Sequence, residues 1–180
     1  MAGSEQPDPR LANGNPPATT QELEARLAAL GIEARTYTHA PVFTVEAAKS
    51  VRGDLPGGHT KNLFVRDKRG TMWLLCCPAD QAVDLRALAP RLGASGRLSF
   101  GSTERLMRYL GVTPGAVSPF AVINDHDHQV EVVLDPAVLA VEPINMHPLD
   151  NTRTTAISAA DLLVFLQAVG HPPREVSFAP

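Results

Sequence analysis

Three places in this sequence hold residues that could do chemistry. The first is Lys61, in "GGHTKNLFVRDKRGTMWLLCCP", residues 57–78. The stretch reads as two strands around an Asp-Lys-Arg-Gly turn, and Lys61 falls in the same alternation register as Leu63 and Val65. A lysine at a strand end either snorkels to solvent or stands as a fixed cation at a pocket rim. There it can bind a phosphate, a carboxylate or charge developing on an ester oxygen. Asn62 points to the opposite face, where it can brace a loop. The second place is the loop 111–119, "GVTPGAVSP", in which Gly115 and Pro119 bracket Ala116, Val117 and Ser118. Such a loop is either punctuation or a rigid rim offering backbone N–H and C=O groups to a ligand. The third is His147 in "NMHPLDNTRTT", held extended by the proline that follows it. It is either a satisfied structural histidine or a group that orients a substrate. Asn151 and Thr152 share its loop and can bond locally.

Other chemistry is weakly represented. His126 and His128 are two apart and can share a face as metal ligands, but "NDHDH" is also ordinary turn material, and no metal is expected. Cys76 and Cys77 are neighbours, so on a strand they face opposite ways and suit two reduced core residues better than a disulfide. There is no GxSxG, no phosphate-binding P-loop, no dinucleotide fingerprint, and no zinc-deaminase signature. No cofactor is expected.

The elements that must position these groups are legible from caps and periodicity. Residues 1–18 are rich in Pro, Gly and Asn and read as a disordered arm. Thr19 or Thr20 caps a helix carrying Leu23, Leu27 and Leu30 and stopped by Gly31. "EARTYTH" is a short strand, and "PVFTVEAAKSV" a turn and helix capped by Thr44. Helices are expected over 83–92 and over 102–110, the second capped by Ser102. Residues 120–135 read as a β-hairpin tipped by "DHDH". "VEPINMHP" and "TTAIS" give two more strands, and Ser158 caps a last helix ending at Gly170. Residues 171–180 read as a loose tail. Hairpins mixed with helices point to an α+β domain over 19–170, with a mixed, mainly antiparallel, barrel-like sheet flanked by helices.

The bulk numbers agree. The chain has 180 residues, which suits one domain, and 44% are hydrophobic. A formal net charge of -3 excludes a broadly basic nucleic-acid coat but not a local basic patch. No apolar run approaches the ~18 residues of a membrane span, and no signal pattern opens the chain, so a cytoplasmic location is expected.

Three segments together, "HTKNLFVRDKRG", "YLGVTPGAVSPFAVIND" and "HPLDNTRTTAIS", resemble the YbaK/prolyl-tRNA-synthetase-associated domain family of aminoacyl-tRNA deacylases. "HAPVFTVEAA" fits as well, and the resemblance spans about residues 20–170. Its wording is nearest to the free-standing branch that clears alanine from proline tRNA. The resemblance implies catalytic roles for Lys61, Gly115 and His147. It implies substrate contacts from Asn62, Ala116, Val117, Ser118, Pro119, Asn151 and Thr152. The long N-terminal arm is not part of the family pattern.

The implied activity makes chemical sense. Rejecting a substrate smaller by a methylene is worth only ~1–3 kcal/mol to a synthetase, so a second, tighter pocket that hydrolyses the error completes the discrimination. Ester hydrolysis needs a placed water and support for an oxyanion. The chain offers no Ser-His-Asp triad, and the resemblance implies a metal-free, substrate-assisted route using a ribose hydroxyl of the tRNA. The implied partners are the alanine-bearing acceptor end of tRNA(Pro) and, transiently, prolyl-tRNA synthetase or a translation factor, with no membrane. An acidic protein then needs a local basic rim, for which Lys49, Arg52, Lys61, Lys68, Arg97, Arg105 and Arg108 are candidates. Rival expectations are a deacylase for serine or cysteine esters, a non-catalytic tRNA-binding module, and a small-molecule binder.

Overall fold

The computed structural model describes residues 9–40 and 45–180. In chain order it contains α1 (Thr20–Ala29), β1 (Arg35–Thr38), α2 (Val45–Asp54), β2 (Gly58–Arg66), β3 (Met72–Pro78) and α3 (Leu85–Leu92). Then come β4 (Ser99–Phe100), α4 (Thr103–Leu110), a 3₁₀ helix (Pro119–Asn124), β5 (Val130–Leu134) and α5 (Pro136–Leu139). The chain finishes with β6 (Ile144–Met146), β7 (Arg153–Ile157), α6 (Ala159–Ala168) and β8 (Arg174–Glu175). The expected caps hold. Thr19 closes a capping box with Glu22, Ser102 accepts from the Arg105 amide, and Ser158 accepts from the Asp161 amide. The Thr44 cap lies outside the described residues.

The strands form one sheet in the order β1-β7-β6-β2-β3-β5-β8, with β4 attached to β2. Pairing is mostly antiparallel, but β2–β6, β3–β5 and β5–β8 are parallel. This is the expected mixed α+β sheet with flanking helices. It does not close, so the barrel-like expectation is corrected to an open sheet running from β1 to β8.

Each face of the sheet carries its own core. One face presents Phe64, Met72, Leu74, Cys76, Val132, Ile144 and Ile157, covered by α1, α4, α6 and the 3₁₀ helix through Leu23, Leu110, Phe120 and Phe165. The other presents Val65, Trp73, Leu75, Cys77 and Val133, covered by α3, Leu98 and Phe178. The two cysteines therefore face opposite ways, both buried and free. Burial pushes the Cys76 thiol far up, and it pushes the Cys77 thiol up to about 11. Both are inert core groups.

Three further sequence expectations are corrected. Residues 120–135 are not a hairpin. The first arm is the 3₁₀ helix, started by Ser118, whose Oγ accepts from the Phe120 amide, and by Pro119 in the first turn. Only Val130–Leu134 is a strand. Residues 9–18, expected as part of a disordered arm, pack on the body: Leu11 is buried, and the Ala12 amide donates to the Arg108 carbonyl. Residues 1–8 of that arm lie outside the described residues. The tail 171–180 is not loose, because His171 and Phe178 are buried and β8 pairs with β5.

Candidate active site

A split in the pairing of β2 makes the site. Along one edge β2 is matched to β3 without a bulge from Thr60 to Arg66. On its other edge β6 takes only Gly58 and His59, and β4 takes only Val65 and Arg66. Among the described residues, positions 60–63 have no strand partner on that edge. Lys61 lies in this gap, half-buried. The unbroken register puts it on the face of Leu63, Val65 and Cys77, the face of the smaller core, and not in the main core. Its ammonium is close enough to Cys77 to pull that thiol down against the larger effect of burial. Asn62 points the other way, towards the main core. Its Oδ1 is buried without a hydrogen-bond partner, an acceptor whose desolvation is uncompensated.

His147 follows directly on β6. It stands two residues past Asn145, which is opposite His59, while Lys61 stands two residues past His59. The strands diverge here, so both residues border the gap. The His147 Nδ1 lies 2.8 Å from the Arg153 carbonyl oxygen. A carbonyl only accepts, so Nδ1 carries the proton and Nε2 keeps its lone pair. Burial holds the imidazole below its usual range, with nearby His39 adding to that effect against the Arg153 bond. Near pH 7 His147 is thus a neutral acceptor through Nε2.

The 115–119 loop is tied to the main chain of this histidine by one bond. Ser118 is fully buried, and its hydroxyl donates to the His147 carbonyl at 2.6 Å. Gly115 has φ +94, a left-handed conformation, and a Cβ there would come 3.6 Å from the Asn151 amide nitrogen. Ala116 is buried in the main core with Val117 packed against it, and Pro119 opens the 3₁₀ helix. Asp150 accepts from both the amide and the hydroxyl of Thr152 at 2.7 Å, and the amide bond leads in holding its carboxyl below the usual range. Leu149, just before Asp150, has φ 69, a strained value for a branched residue. From the far side, the Thr20 hydroxyl donates to the Pro148 carbonyl at 2.7 Å.

One residue here was not singled out in the sequence. His39 follows β1, and its backbone amide donates to the Thr152 carbonyl. Its Nε2 lies 2.8 Å from the Thr154 hydroxyl, and its ring centre is 6.2 Å from that of His147. The position is set by the β1–β7 pairing, which no local pattern reveals.

The expected basic rim is only partly gathered. Lys68 and Arg97 are exposed on the β4 side of the gap. Lys49 is exposed on α2, where it lines a separate cavity of about 550 Å³ with Gly57, Thr60 and Val141. Arg105 lies along Met72 and near the Tyr109 ring, and Arg108 pairs with Glu104 at 4.0 Å. The Arg52 side chain lies outside the described residues. His126 is exposed, while the His128 ring lies 4.9 Å from that of His171, which bonds Asp125 at 2.9 Å. No described helix is long and apolar enough to cross a membrane.

Comparison with known proteins adds to this geometry. The model of the aminoacyl-tRNA editing domain matches residues 39–165. The chain is 38% identical to the prolyl-tRNA editing protein ProX of Acetoanaerobium sticklandii, over 84% of this chain and 92% of that one. It is 37% identical to the prolyl-tRNA synthetase associated domain-containing protein 1 of Mus musculus, over 87% and 95%. A solved structure described as a candidate trans-editing enzyme for prolyl tRNA synthetase superposes with a TM-score of 0.68 over 89% of this chain and 96% of that one. Its sequence is 16% identical, so the likeness there is one of fold.

Proposed function

The chain belongs to the aminoacyl-tRNA editing domain family and is an aminoacyl-tRNA hydrolase of that kind; from this premise we propose that it clears alanine from mischarged tRNA(Pro) in the cytoplasm. What supports the reading is that Lys61 and His147 border the same gap in the sheet, with the 115–119 loop bonded to the His147 main chain, in a chain similar to a protein named for prolyl-tRNA editing.

The reaction is attack by water on the ester carbonyl. The carbonyl-to-ribose C–O bond breaks, the ribose oxygen takes a proton, and free alanine leaves. Lys61 holds the anionic end of the tRNA through phosphate or ribose oxygen. The backbone of the 115–119 loop grips the aminoacyl ester and supports the tetrahedral oxyanion. Its left-handed Gly115 lets the chain approach closely. His147 accepts a hydrogen bond from the substrate through Nε2 and orients it. The adjacent ribose hydroxyl positions the water, so the substrate supplies part of its own catalysis. Ala116 and Val117, packed on the core behind the loop, limit the depth available to the amino acid. Asn151 and Thr152 complete the polar lining, and Asn62 braces the gap from the main-core face.

A panel of alanyl-, seryl-, cysteinyl- and prolyl-tRNA tests the specificity. We expect release from the alanyl ester well above the others. Faster release of serine or cysteine would overturn the alanine assignment while leaving the hydrolase. Stable binding of every species without turnover would overturn the enzyme.

A further inference from the structure

Phe100 is 64% exposed, the largest exposure of any large hydrophobic residue among those described. It sits on β4, opposite Val65 of β2. Residues directly opposite in an antiparallel pair share a face, and Val65 shares its face with Lys61. The phenyl ring therefore stands on the Lys61 face of the sheet, four positions along β2, or about 13 Å at ~3.3 Å per residue. It is on the β4 side of the same gap that His147 borders from β6.

The segments that carry and flank β4 and its partner strand are rich in cations for an acidic chain. Residues 61–73 and 91–102 carry six cations, Lys61, Arg66, Lys68, Arg69, Arg91 and Arg97, against one acid, Asp67. That acid is buried and turned inward, accepting from the amides of Ser95, Arg69 and Thr71. Arg91 is engaged by the carbonyls of Ser177 and Ala179. Lys68 lies along Gly96, which brings its stem close to the segment leading into β4. A solvent-facing aromatic ring among backbone-binding cations is the combination that holds single-stranded nucleic acid.

We propose that Phe100 is a stacking platform for a base of the single-stranded 3′ end of the tRNA, upstream of the terminal nucleoside that Lys61 holds. The proposal rests on tRNA being the substrate, and it adds a second point of contact that fixes the direction in which the strand enters the gap. Stacking is indifferent to sequence, because every base has a π-face. Phe100 therefore contributes affinity and direction and leaves amino-acid choice to the pocket.

The test is the affinity of the uncharged tRNA(Pro) acceptor hairpin, with and without its single-stranded 3′ end, so no hydrolysis is involved. Phe100→Ala weakens binding of the hairpin that keeps its 3′ end by roughly 5- to 100-fold and leaves binding of the blunt hairpin unchanged. Phe100→Trp restores the affinity and Phe100→Leu does not. Val164→Ala, at another exposed apolar position, has no effect. The proposal is overturned by equal affinities for wild type and Phe100→Ala, by full rescue with leucine, by no binding of the wild type, or by an oligomer that Phe100→Ala dissociates. Tight, Phe100-dependent binding without any release of alanine would leave the platform standing and remove the editing reading instead.

Discussion

The Ser118 hydroxyl donates to the main-chain carbonyl of His147 at 2.6 Å, and that bond ties the 115–119 loop to the segment carrying the histidine. Ser118 is fully buried. Ser118→Ala leaves the carbonyl without this partner, at a cost of about 1–3 kcal/mol. We expect a lowered urea midpoint, together with a fall in kcat/KM of up to about 100-fold as the two walls lose register. A stability loss with unchanged kcat/KM would show that the bond serves the fold alone.

Gly115→Ala separates strain from crowding. The added Cβ would meet the Asn151 amide at 3.6 Å, an ordinary contact, but φ +94 is unfavourable for any residue with a Cβ. The expected cost is about 1–2 kcal/mol, read by denaturant unfolding, with a larger fractional loss of deacylation because the loop backbone shifts. Full activity would mean that the loop tolerates another conformation.

His147 gives a pH dependence with a definite sign. Burial lowers its pKa in the folded protein below the ordinary value of 6.5. The unfolded state therefore binds more protons as pH falls through 6.5, and stability declines in that direction until the folded pKa is passed. Activity falls over the lower part of the same window as Nε2 takes a proton. Asp67, Asp125 and Asp150 all have carboxyls held below 3.8, so their contributions to stability are lost at lower pH, in a separate step. Urea unfolding from pH 8 to 2 should show the first step and, below 3.8, the onset of the second, and His147→Gln should remove only the first. A first step that survives in His147→Gln would assign it elsewhere.

The buried Asp125–His171 pair fastens the C-terminal segment to the turn before β5. The nitrogen and oxygen are 2.9 Å apart, and the side chains are 3% and 2% exposed. Asp125 also accepts from the amides of Gln129 and Val130; burial opposes its ionisation, but these bonds and His171 hold its carboxyl low. His171→Ala should destabilise by about 3–5 kcal/mol, since it leaves a buried charge without its partner. Measured on the folded fraction, kcat should not change. A loss under 1 kcal/mol would mean that water replaces the histidine.

Local signals are legible in this sequence, and contacts distant along the chain are not. Thr19, Ser102 and Ser158 are caps because a short polar side chain can close its own helix start, which needs no information from elsewhere. The alternation of Lys61 with Leu63 and Val65 likewise survives as a shared face. The apolar run 120–123 has the composition of a strand, yet Ser118 and Pro119 turn it into a 3₁₀ helix. Leu11 in a Pro- and Asn-rich stretch, and Phe178 near the end, find their cores only through tertiary packing. The same holds at the site. Lys61, Gly115 and His147 could be named from the sequence, but not the split between β6 and β4 that opens the gap, nor His39 beside it.

The central claim is that Lys61 serves the hydrolysis of an alanyl ester. The most direct measurement is release of labelled alanine from Ala-tRNA(Pro), with Pro-tRNA(Pro) as control, by the wild-type protein and by Lys61→Ala. We expect rapid, alanine-selective release by the wild type and a rate near the spontaneous one for the variant, with the fold intact because Lys61 stands outside the main core. Release by Lys61→Ala at the wild-type rate, or no release by the wild type above the spontaneous rate, would contradict it.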